Sequence, residues 1–261
     1  LKKIYSDIKL ARPIRVAIDC GNGAASICAE ELYKGIGAQV ESLFCNIDGN
    51  FPNHHPDPSN LKNLVSLQEA LLKGESELGL AFDGDGDRLG VVTKKGEIIF
   101  PDRQLLLFAE DVLKKNPGAS IIFDVKSTRH LFSWIEDRGG IPIIWKTGHS
   151  LIKAKMKESK AILAGEMSGH MFFNDRWYGF DDGIYAGARL IEILSHFDNP
   201  SEILEALPKS FSTPELNIKL KEGEQHRIIK ALQDEAKFQN AIEIIKIDGL
   251  RVEYDYGFGL M

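Results

Sequence analysis

The stretch Leu78-Gly79-Leu80-Ala81-Phe82 is followed directly by Asp83-Gly84-Asp85-Gly86-Asp87-Arg88. The first five residues form a short apolar run and predict a buried strand. Three carboxylates follow at alternate positions, separated by glycines that let the backbone turn tightly. A buried strand that ends in such a loop is typical of the carboxyl edge of an α/β sheet, where ligands bind. The stretch therefore predicts an α/β fold with a site at one sheet edge.

Strands and helices alternate on both sides of this stretch. Helix-length connections between strands imply largely parallel pairing. In the first unit we predict strands over 14–18, 39–43 and 78–82, helices over 24–36 and 61–72, and a hairpin over 91–99. In the second unit we predict helices over 103–114, 128–137, 150–158 and 182–197, and strands over 121–125, 141–145 and 161–163.

A Pro- and Ser-containing segment at 207–214 reads as a linker. After it, residues alternate over 216–220, a helix is predicted over 225–237, and a strand over 242–247. So short a segment buries little core, and the chain has no initiator Met. We therefore expect the central part of a longer protein. The predicted fold is two consecutive α/β domains with mixed, largely parallel sheets, at 1–100 and 101–210, then the truncated start of a third, α+β domain at 211–261.

Composition excludes several classes of protein. The 261 residues carry a formal net charge of −6, which argues against a general nucleic-acid binder. No apolar run has the length of a membrane span, and the first residues lack the apolar core of a signal peptide. Three cysteines form no metal-binding spacing, and an odd number is not a disulfide framework. We therefore expect a cytoplasmic protein with reduced thiols.

The three carboxylates Asp83, Asp85 and Asp87 favour a divalent cation. Close carboxylates repel one another, so they need a cation or a bound proton at neutral pH. Hard oxygen ligands suit Mg²⁺ or Ca²⁺, and Mg²⁺ commonly keeps phosphate oxygens or water in its shell. A solvated acidic turn is the plain alternative. An EF-hand is excluded, because its glycine and glutamate positions hold Arg88 and Lys94.

A second polar loop, Gly165-Glu166-Met167-Ser168-Gly169-His170, follows another apolar strand. Glu166 and Ser168 can exchange hydrogen bonds with adjacent sugar hydroxyls, and His170 can move a proton near neutral pH. Lys126 and His149 also follow predicted strands, and a helix that begins near His149 offers free N–H groups to an anion. Each residue alone is equally consistent with an ordinary surface position. The hypothesis of a shared binding site therefore rests on the recurrence of such residues at strand ends.

Four motifs in a fixed order resemble those of one family. They are Phe51-Pro52-Asn53-His54-His55-Pro56, the carboxylate loop, Lys146-Thr147-Gly148-His149-Ser150 and the Glu-x-Ser loop. Together they closely resemble bacterial phosphomannomutase/phosphoglucomutase, within the α-D-phosphohexomutase superfamily. The likeness runs through all 261 residues. In that family, four domains surround one cleft.

The resemblance implies roles for the polar residues. It implies that Asp83, Asp85 and Asp87 bind Mg²⁺ together with a phosphoserine, and that the Glu-x-Ser loop reads two sugar hydroxyls. By the same resemblance the catalytic residues are Arg88 and His170, and the substrate-binding residues are Lys126, His149, Glu166, Met167, Ser168, Gly169 and His170.

The implied reaction interconverts hexose 1-phosphate and hexose 6-phosphate through a hexose 1,6-bisphosphate intermediate, so the partners are phosphorylated hexoses. Mannose and glucose both remain open as the sugar. The family's Thr-x-Ser-His-Asn-Pro and Arg-x-Ser-Asn-Thr loops do not occur in these residues. We therefore expect the N-terminal domain and most of the C-terminal domain to be missing, and the chain to be inactive alone.

Parts of the sequence resemble three other classes of protein. Asp19-Cys20-Gly21-Asn22-Gly23 with Glu41 imitates a dinucleotide fingerprint, but Ser26 occupies the third glycine position. A haloacid-dehalogenase-like phosphatase would use Asp85-x-Asp87, but Leu89 stands where that family has Thr or Val. A non-catalytic, metal-dependent sugar-phosphate binding module is the serious alternative to an enzyme.

Overall fold

The computed structural model describes residues 1–213 and 216–261. It contains two α/β units, each built on a mixed sheet, followed by a small antiparallel sheet. The predicted fold class is therefore confirmed. Within the described part of the chain, none of the helices has the length and apolar composition needed to cross a membrane.

The first unit contains five strands in the order β2-β1-β3-β4-β5. Strands β1, β2 and β3 pair in parallel, whereas β4 and β5 run antiparallel to their neighbours. The strands are β1 (Arg15–Asp19), β2 (Gln39–Leu43), β3 (Leu78–Phe82), β4 (Leu89–Thr93) and β5 (Ile98–Ile99), and the helices are α1 (Lys2–Asp7), α2 (Ala29–Gly35) and α3 (Val65–Lys73).

The second unit repeats this strand order in a four-stranded sheet, β7-β6-β8-β9. Strands β6, β7 and β8 are parallel, and β9 pairs antiparallel with β8. Its strands are β6 (Ser120–Asp124), β7 (Ile141–Trp145), β8 (Leu163–Gly165) and β9 (Met171–Phe173), and its helices are α4 (Pro101–Lys115), α5 (His130–Glu136), α6 (His149–Ser159), α7 (Gly183–Leu194) and α8 (Pro200–Glu205).

One apolar core joins the two units. Its largest cluster includes Val16 of the first sheet, Phe123 of the second, and Phe108 and Leu190 of the helices between them. Helix α7 packs against β3, β4 and β9, so it contacts both sheets. Close approach requires Gly183, because a Cβ there would lie 2.7 Å from the carbonyl oxygen of Arg88. The polar loops of the two units are therefore held next to each other by a shared core.

The predicted helix over 24–36 is interrupted. A 3₁₀ turn spans Ala24–Ile27 and α2 begins at Ala29, because Cys28 has φ −141°, outside the helical range. The Ala24 N–H also bonds to the carbonyl oxygen of Gly84, 2.8 Å away, instead of forming the start of a regular helix. The predicted helix over 61–72 likewise begins with a 3₁₀ turn, Leu61–Leu64.

The end of the chain forms helix α9 (Glu224–Glu235) and the antiparallel strands β10 (Glu243–Ile245), β11 (Arg251–Tyr254) and β12 (Gly257–Leu260). The alternating residues over 216–220 form neither a helix nor a strand. Leu216 and Ile218 are 84% and 82% exposed, so the alternation is not matched by a buried face. The predicted linker 207–214 has no helix or strand from 208 to 213, and Pro214 lies outside the described residues.

Candidate active site

The carboxylate loop lies in the hairpin between β3 and β4. Asp83, Asp85 and Asp87 each offer one oxygen, and these atoms lie within 4.8 Å of one another. Gly86 makes the tight turn with φ +83°, a conformation that costs glycine little. Asp83 is buried and Asp85 is exposed, so the cluster has one anchored side and one open side. Three hard oxygens around an open position suit Mg²⁺, which keeps water or phosphate oxygens in its shell.

Arg88 fixes the buried carboxylate of this loop. Its Nε donates to Asp83 Oδ2 over 2.7 Å, and its Nη1 donates to Asp57 Oδ1 over 3.1 Å. The other oxygen, Asp83 Oδ1, accepts from the backbone N–H groups of Gly86 and Arg88. Burial lowers the pKa of Arg88, but the hydrogen bond to Asp83 and the surrounding carboxylates raise it by more. The guanidinium therefore stays charged beside the carboxylates.

Burial and the neighbouring negative charges disfavour the ionised form of Asp87. Burial, followed by the charge of Asp83, raises the pKa of Asp87 to about 6. A carboxyl group whose ionised form is this disfavoured is stabilised by a cation. The donor set therefore fits a divalent metal ion better than a solvated acidic turn.

The Glu-x-Ser loop lies in the matching hairpin between β8 and β9. Glu166 is buried, and its Oε1 accepts from the Gly148 N–H over 2.5 Å. Its Oε2 is also buried and has no well-aligned hydrogen bond among the described residues, although His170 Nδ1 lies 3.3 Å away. Ser168 Oγ lies 2.8 Å from His170 Nδ1. Since buried polar atoms are normally paired, Oε2 is an acceptor available to a ligand hydroxyl.

A backbone bridge between Arg88 and His170 joins the two loops. Next to it the Leu89 N–H donates to the carbonyl oxygen of Gly169, which has φ +107°. His170 Nε2 lies 3.4 Å from Asp87 Oδ1 as a result. Burial lowers the pKa of His170, but the hydrogen bond to Glu166 and the charge of Asp87 raise it by more. The imidazole is thus held between the two loops and retains a proton more readily than a free histidine.

His149 reaches this cluster from the first turn of α6. Its ring stacks on that of His170, with centroids 5.6 Å apart and an interplanar angle of 19°. His149 Nδ1 lies 3.3 Å from Asp181 Oδ2, and Lys153 Nζ donates to Asp181 Oδ1 over 2.9 Å. Burial raises the pKa of Asp181, but the hydrogen bond from Lys153 lowers it by more. Asp181 therefore carries a negative charge beside two imidazoles.

Asp124, at the end of β6, accepts hydrogen bonds from three loops. Ser127 Oγ donates to its Oδ1 over 2.6 Å, while Thr147 Oγ1 and the Met167 N–H donate to its Oδ2, each over 3.3 Å. Burial raises the pKa of Asp124 to about 6. Lys126 is exposed in the turn that directly follows β6. The strand end thus supports the loops that carry Lys126, His149 and Met167.

The structure adds three aspartates to the residues predicted from sequence. Asp57 contacts Arg88, Asp124 supports the loops, and Asp181 contacts His149. Asp57 directly follows the quoted Phe-Pro-Asn-His-His-Pro motif, Asp124 lies within the strand predicted over 121–125, and Asp181 directly precedes the helix predicted over 182–197. Each position therefore had a local signal, but no pattern in the sequence indicated its contact.

Family models match both α/β units. The model described as phosphoglucomutase/phosphomannomutase, alpha/beta/alpha domain II matches residues 1–96, and the domain III model matches residues 100–211. The chain belongs to the phosphoglucomutase/phosphomannomutase family. The resemblance stated from the four motifs is therefore confirmed.

Individual members of the family match nearly the whole chain. It is 63% identical over 259 residues to "Phosphoglucomutase" from Neisseria gonorrhoeae, covering 99% of this chain and 56% of that protein. It is 55% identical over 261 residues to "Phosphomannomutase/phosphoglucomutase" from Pseudomonas syringae, covering 100% and 56%. A crystal structure of a phosphoglucomutase/phosphomannomutase family protein from Burkholderia thailandensis superposes with a TM-score of 0.96 at 57% identity, covering 99% and 55%. The chain spans about half the length of the relatives it matches.

Proposed function

We propose that this chain supplies the metal-binding and sugar-recognition parts of a cytoplasmic phosphohexomutase. The reaction interconverts hexose 1-phosphate and hexose 6-phosphate, with mannose, glucose or both as the sugar. One observation carries the proposal: the backbone bridge between Arg88 and His170 sets the carboxylate loop of one unit beside the Glu-x-Ser loop of the other. A phosphoryl group and the hydroxyl that receives it need this proximity.

The metal ion of the proposal is Mg²⁺, held by Asp83, Asp85 and Asp87. When bound, Mg²⁺ offsets the negative charge of a transferring phosphoryl group. Asp83 is fixed by two backbone N–H groups and by Arg88, so it is ready to bind without reorganisation. The Arg88 guanidinium stays charged beside the carboxylates. It therefore offers a second cation, besides the metal ion, to phosphoryl oxygens.

The sugar is read by the Glu-x-Ser loop. Glu166 Oε2 and Ser168 Oγ offer an acceptor and a hydroxyl to neighbouring sugar hydroxyls, and Met167 and Gly169 hold the loop backbone in place. Two adjacent ring hydroxyls occupy similar positions when the sugar is turned end for end. The loop can therefore accept a hexose phosphate in both orientations. A 1,6-bisphosphate intermediate must reverse in this way before its second phosphate is transferred.

His170 is the proposed proton-transfer group. It lies between Glu166 and Asp87, whose contacts raise its pKa above the ordinary value in spite of burial, so it holds a proton more firmly than a free histidine and can donate it to a leaving oxygen. Lys126 and His149 are the proposed contacts to the phosphate that is not being transferred. His149 begins α6, and the positive end of that helix also favours an anion.

The domain division 1–100, 101–210 and 211–261 belongs to the same proposal. The phosphoserine that donates the phosphoryl group, and a further phosphate-binding loop, belong to the parts of the relatives that this chain does not span. This chain alone is therefore expected to bind Mg²⁺ and hexose phosphate without turnover.

A calorimetric titration of this chain tests the proposal. We expect glucose 1,6-bisphosphate to bind in the presence of Mg²⁺, and Asp85→Asn to abolish the metal-dependent part of the signal. The exposed Asp137, which directly follows α5 in the second unit, provides the matched control Asp137→Asn. Absence of binding to the unaltered chain would contradict both the mutase and the binding-module readings. Binding without turnover in the longer, serine-containing protein would favour the binding module.

A further inference from the structure

Two of the three cysteines meet at the carboxyl ends of β1 and β2. Cys20 directly follows β1 and Cys45 lies just beyond β2, and their Sγ atoms are 3.0 Å apart. Cys20 is fully buried, whereas Cys45 is partly exposed. Cys28, the third cysteine, lies at the N-cap of α2. The pair is therefore one buried thiol behind one that solvent reaches.

The backbone around this pair is held in place on both sides. The Cys20 N–H donates to the carbonyl oxygen of Leu43 over 3.2 Å, and the Asn22 N–H donates to that of Phe44 over 2.8 Å. The Asn22 side chain also donates to the carbonyl oxygen of Asn46 over 2.7 Å. Because these bonds continue the strand pairing past the two sulfurs, the thiols stay in contact without a loop movement.

From this geometry we infer that Cys20 and Cys45 form a reversible disulfide, a modification site in which low-molecular-weight disulfides are the oxidant. None of the proposed metal or sugar ligands takes part, so the inference stands apart from the proposed function. The two cysteines have no metal-binding spacing, and they belong to neither the carboxylate loop nor the Glu-x-Ser loop.

The exchange has a defined order. The Cys45 sulfur, as its thiolate, attacks one sulfur of oxidised glutathione; the S–S bond breaks and one glutathione leaves as thiolate. The sulfur of Cys20 then attacks Cys45 Sγ, the mixed S–S bond breaks, and the proton of Cys20 leaves with the second glutathione as its thiol. Two protein thiols and one glutathione disulfide thus become one protein disulfide and two reduced glutathiones.

Exposure and acidity both assign the first attack to Cys45. It is the more exposed of the two sulfurs. Contact with Cys20 lowers the pKa of Cys45, while contact with Cys45 and burial raise the pKa of Cys20. A thiol that is accessible and more acidic reacts first, and a neighbouring thiol resolves the mixed disulfide.

The bond would act close to the carboxylate loop. The turn that Cys20 begins reaches Ala24, whose N–H donates to the carbonyl oxygen of Gly84 over 2.8 Å. A Cβ at Gly23 would lie 2.8 Å from the same oxygen, so this turn packs directly on the loop. A Cys20–Cys45 disulfide would therefore restrict the turn that packs on the carboxylate loop, without altering a proposed metal or sugar ligand.

The test is to incubate the folded, reduced chain with oxidised glutathione and to alkylate the remaining thiols after unfolding. Intact mass and peptide mapping then identify the bond. We expect a mass lower by two hydrogen atoms before alkylation, a Cys20–Cys45 cross-link, and alkylation of Cys28 alone. Alkylation of all three cysteines, or a cross-link that includes Cys28, would overturn the inference.

Three variants separate the roles of the sulfurs. Cys28→Ser is the matched control and should form the bond as the unaltered chain does. Cys45→Ser should form none, and Cys20→Ser should retain a glutathione adduct on Cys45 that the unaltered chain loses. The unaltered chain answers the question even if a variant does not fold: its oxidised form should unfold at a temperature higher by roughly 5 °C, because a disulfide restricts the unfolded chain. A lower unfolding temperature would contradict a bond that fits the native geometry.

Discussion

The two α/β units place different chemistry at the same positions. Both sheets have the order second-first-third-fourth strand, with the fourth strand antiparallel. The hairpin after the third strand carries Asp83, Asp85 and Asp87 in one unit and Glu166 and Ser168 in the other. The shared topology brings the two hairpins to one place, and the residues of each hairpin decide whether it suits a cation or a sugar.

The ends of the first strands differ in a similar way. Both end in a buried aspartate, Asp19 or Asp124, and burial raises the pKa of each. Asp19 lies 3.0 Å from His54 Nε2, a neighbour whose charge opposes that rise. Asp124 accepts instead from hydroxyl and N–H donors of three loops. The strand-end aspartate of the first unit therefore contacts a histidine and the Gly21 N–H, whereas that of the second unit connects three loops.

The largest expected effect comes from breaking the carboxylate loop in the longer, serine-containing protein. Asp85→Asn removes one charged oxygen ligand, so charge on the transferring phosphoryl group loses its metal. We expect kcat for hexose phosphate to fall about 1000-fold. Steady-state kinetics with Asp137→Asn as control measures this, and near-normal turnover would refute the metal assignment.

The next effect concerns Asp124 and the dependence of stability on pH. Its pKa is about 6 in the folded chain against 3.8 for the free side chain, so the folded chain binds the extra proton between these values. The resulting stabilisation is complete below pH about 4 and is lost as pH rises through 6, a difference of roughly 3 kcal/mol. Denaturant unfolding at pH 4 to 7 should show this fall in the unaltered chain and a smaller one in Asp124→Asn. Equal slopes would contradict the account of Asp124.

A smaller effect is expected from the Glu-x-Ser loop. Glu166→Gln keeps the size of the side chain but removes the charge that accepts from the Gly148 N–H and faces His170. We expect the affinity of this chain for glucose 1,6-bisphosphate to fall roughly 10- to 150-fold, because hydrogen bonds to charged groups contribute about 1.5–3 kcal/mol. Calorimetry should show unchanged affinity for Mg²⁺ alone. A parallel loss of Mg²⁺ binding would show that the two hairpins are not separable.

The smallest effect is expected at Asp57. Its carboxylate contacts Arg88 Nη1 over 3.1 Å, but both side chains are about a quarter exposed. An ion pair this open contributes under about 1 kcal/mol, so Asp57→Asn should weaken Mg²⁺ binding less than about fivefold. A loss as large as that of Asp85→Asn would mean that Asp57 is itself a ligand of the metal.

The sequence was most informative where local pattern and core coincide. The strands at 39–43, 78–82 and 141–145 have the predicted bounds, because each is a short run between clear turn signals. The segment 171–173 was missed, since three apolar residues after a polar loop give no periodicity. The contact between Arg88 and His170 joins residues far apart in the chain, so no local pattern indicates it.

We propose that the carboxylate hairpin of one unit and the Glu-x-Ser hairpin of the other form one site. Mn²⁺ occupies oxygen sites that suit Mg²⁺ and speeds the relaxation of nearby phosphorus nuclei, an effect that falls steeply with distance. The measurement is therefore ³¹P relaxation of glucose 1,6-bisphosphate bound to this chain with Mn²⁺. We predict strong enhancement in the unaltered chain, its loss in Asp85→Asn, and in Glu166→Gln the same enhancement only at higher concentrations of the bisphosphate. Metal and bisphosphate both bound, with no enhancement, would contradict it.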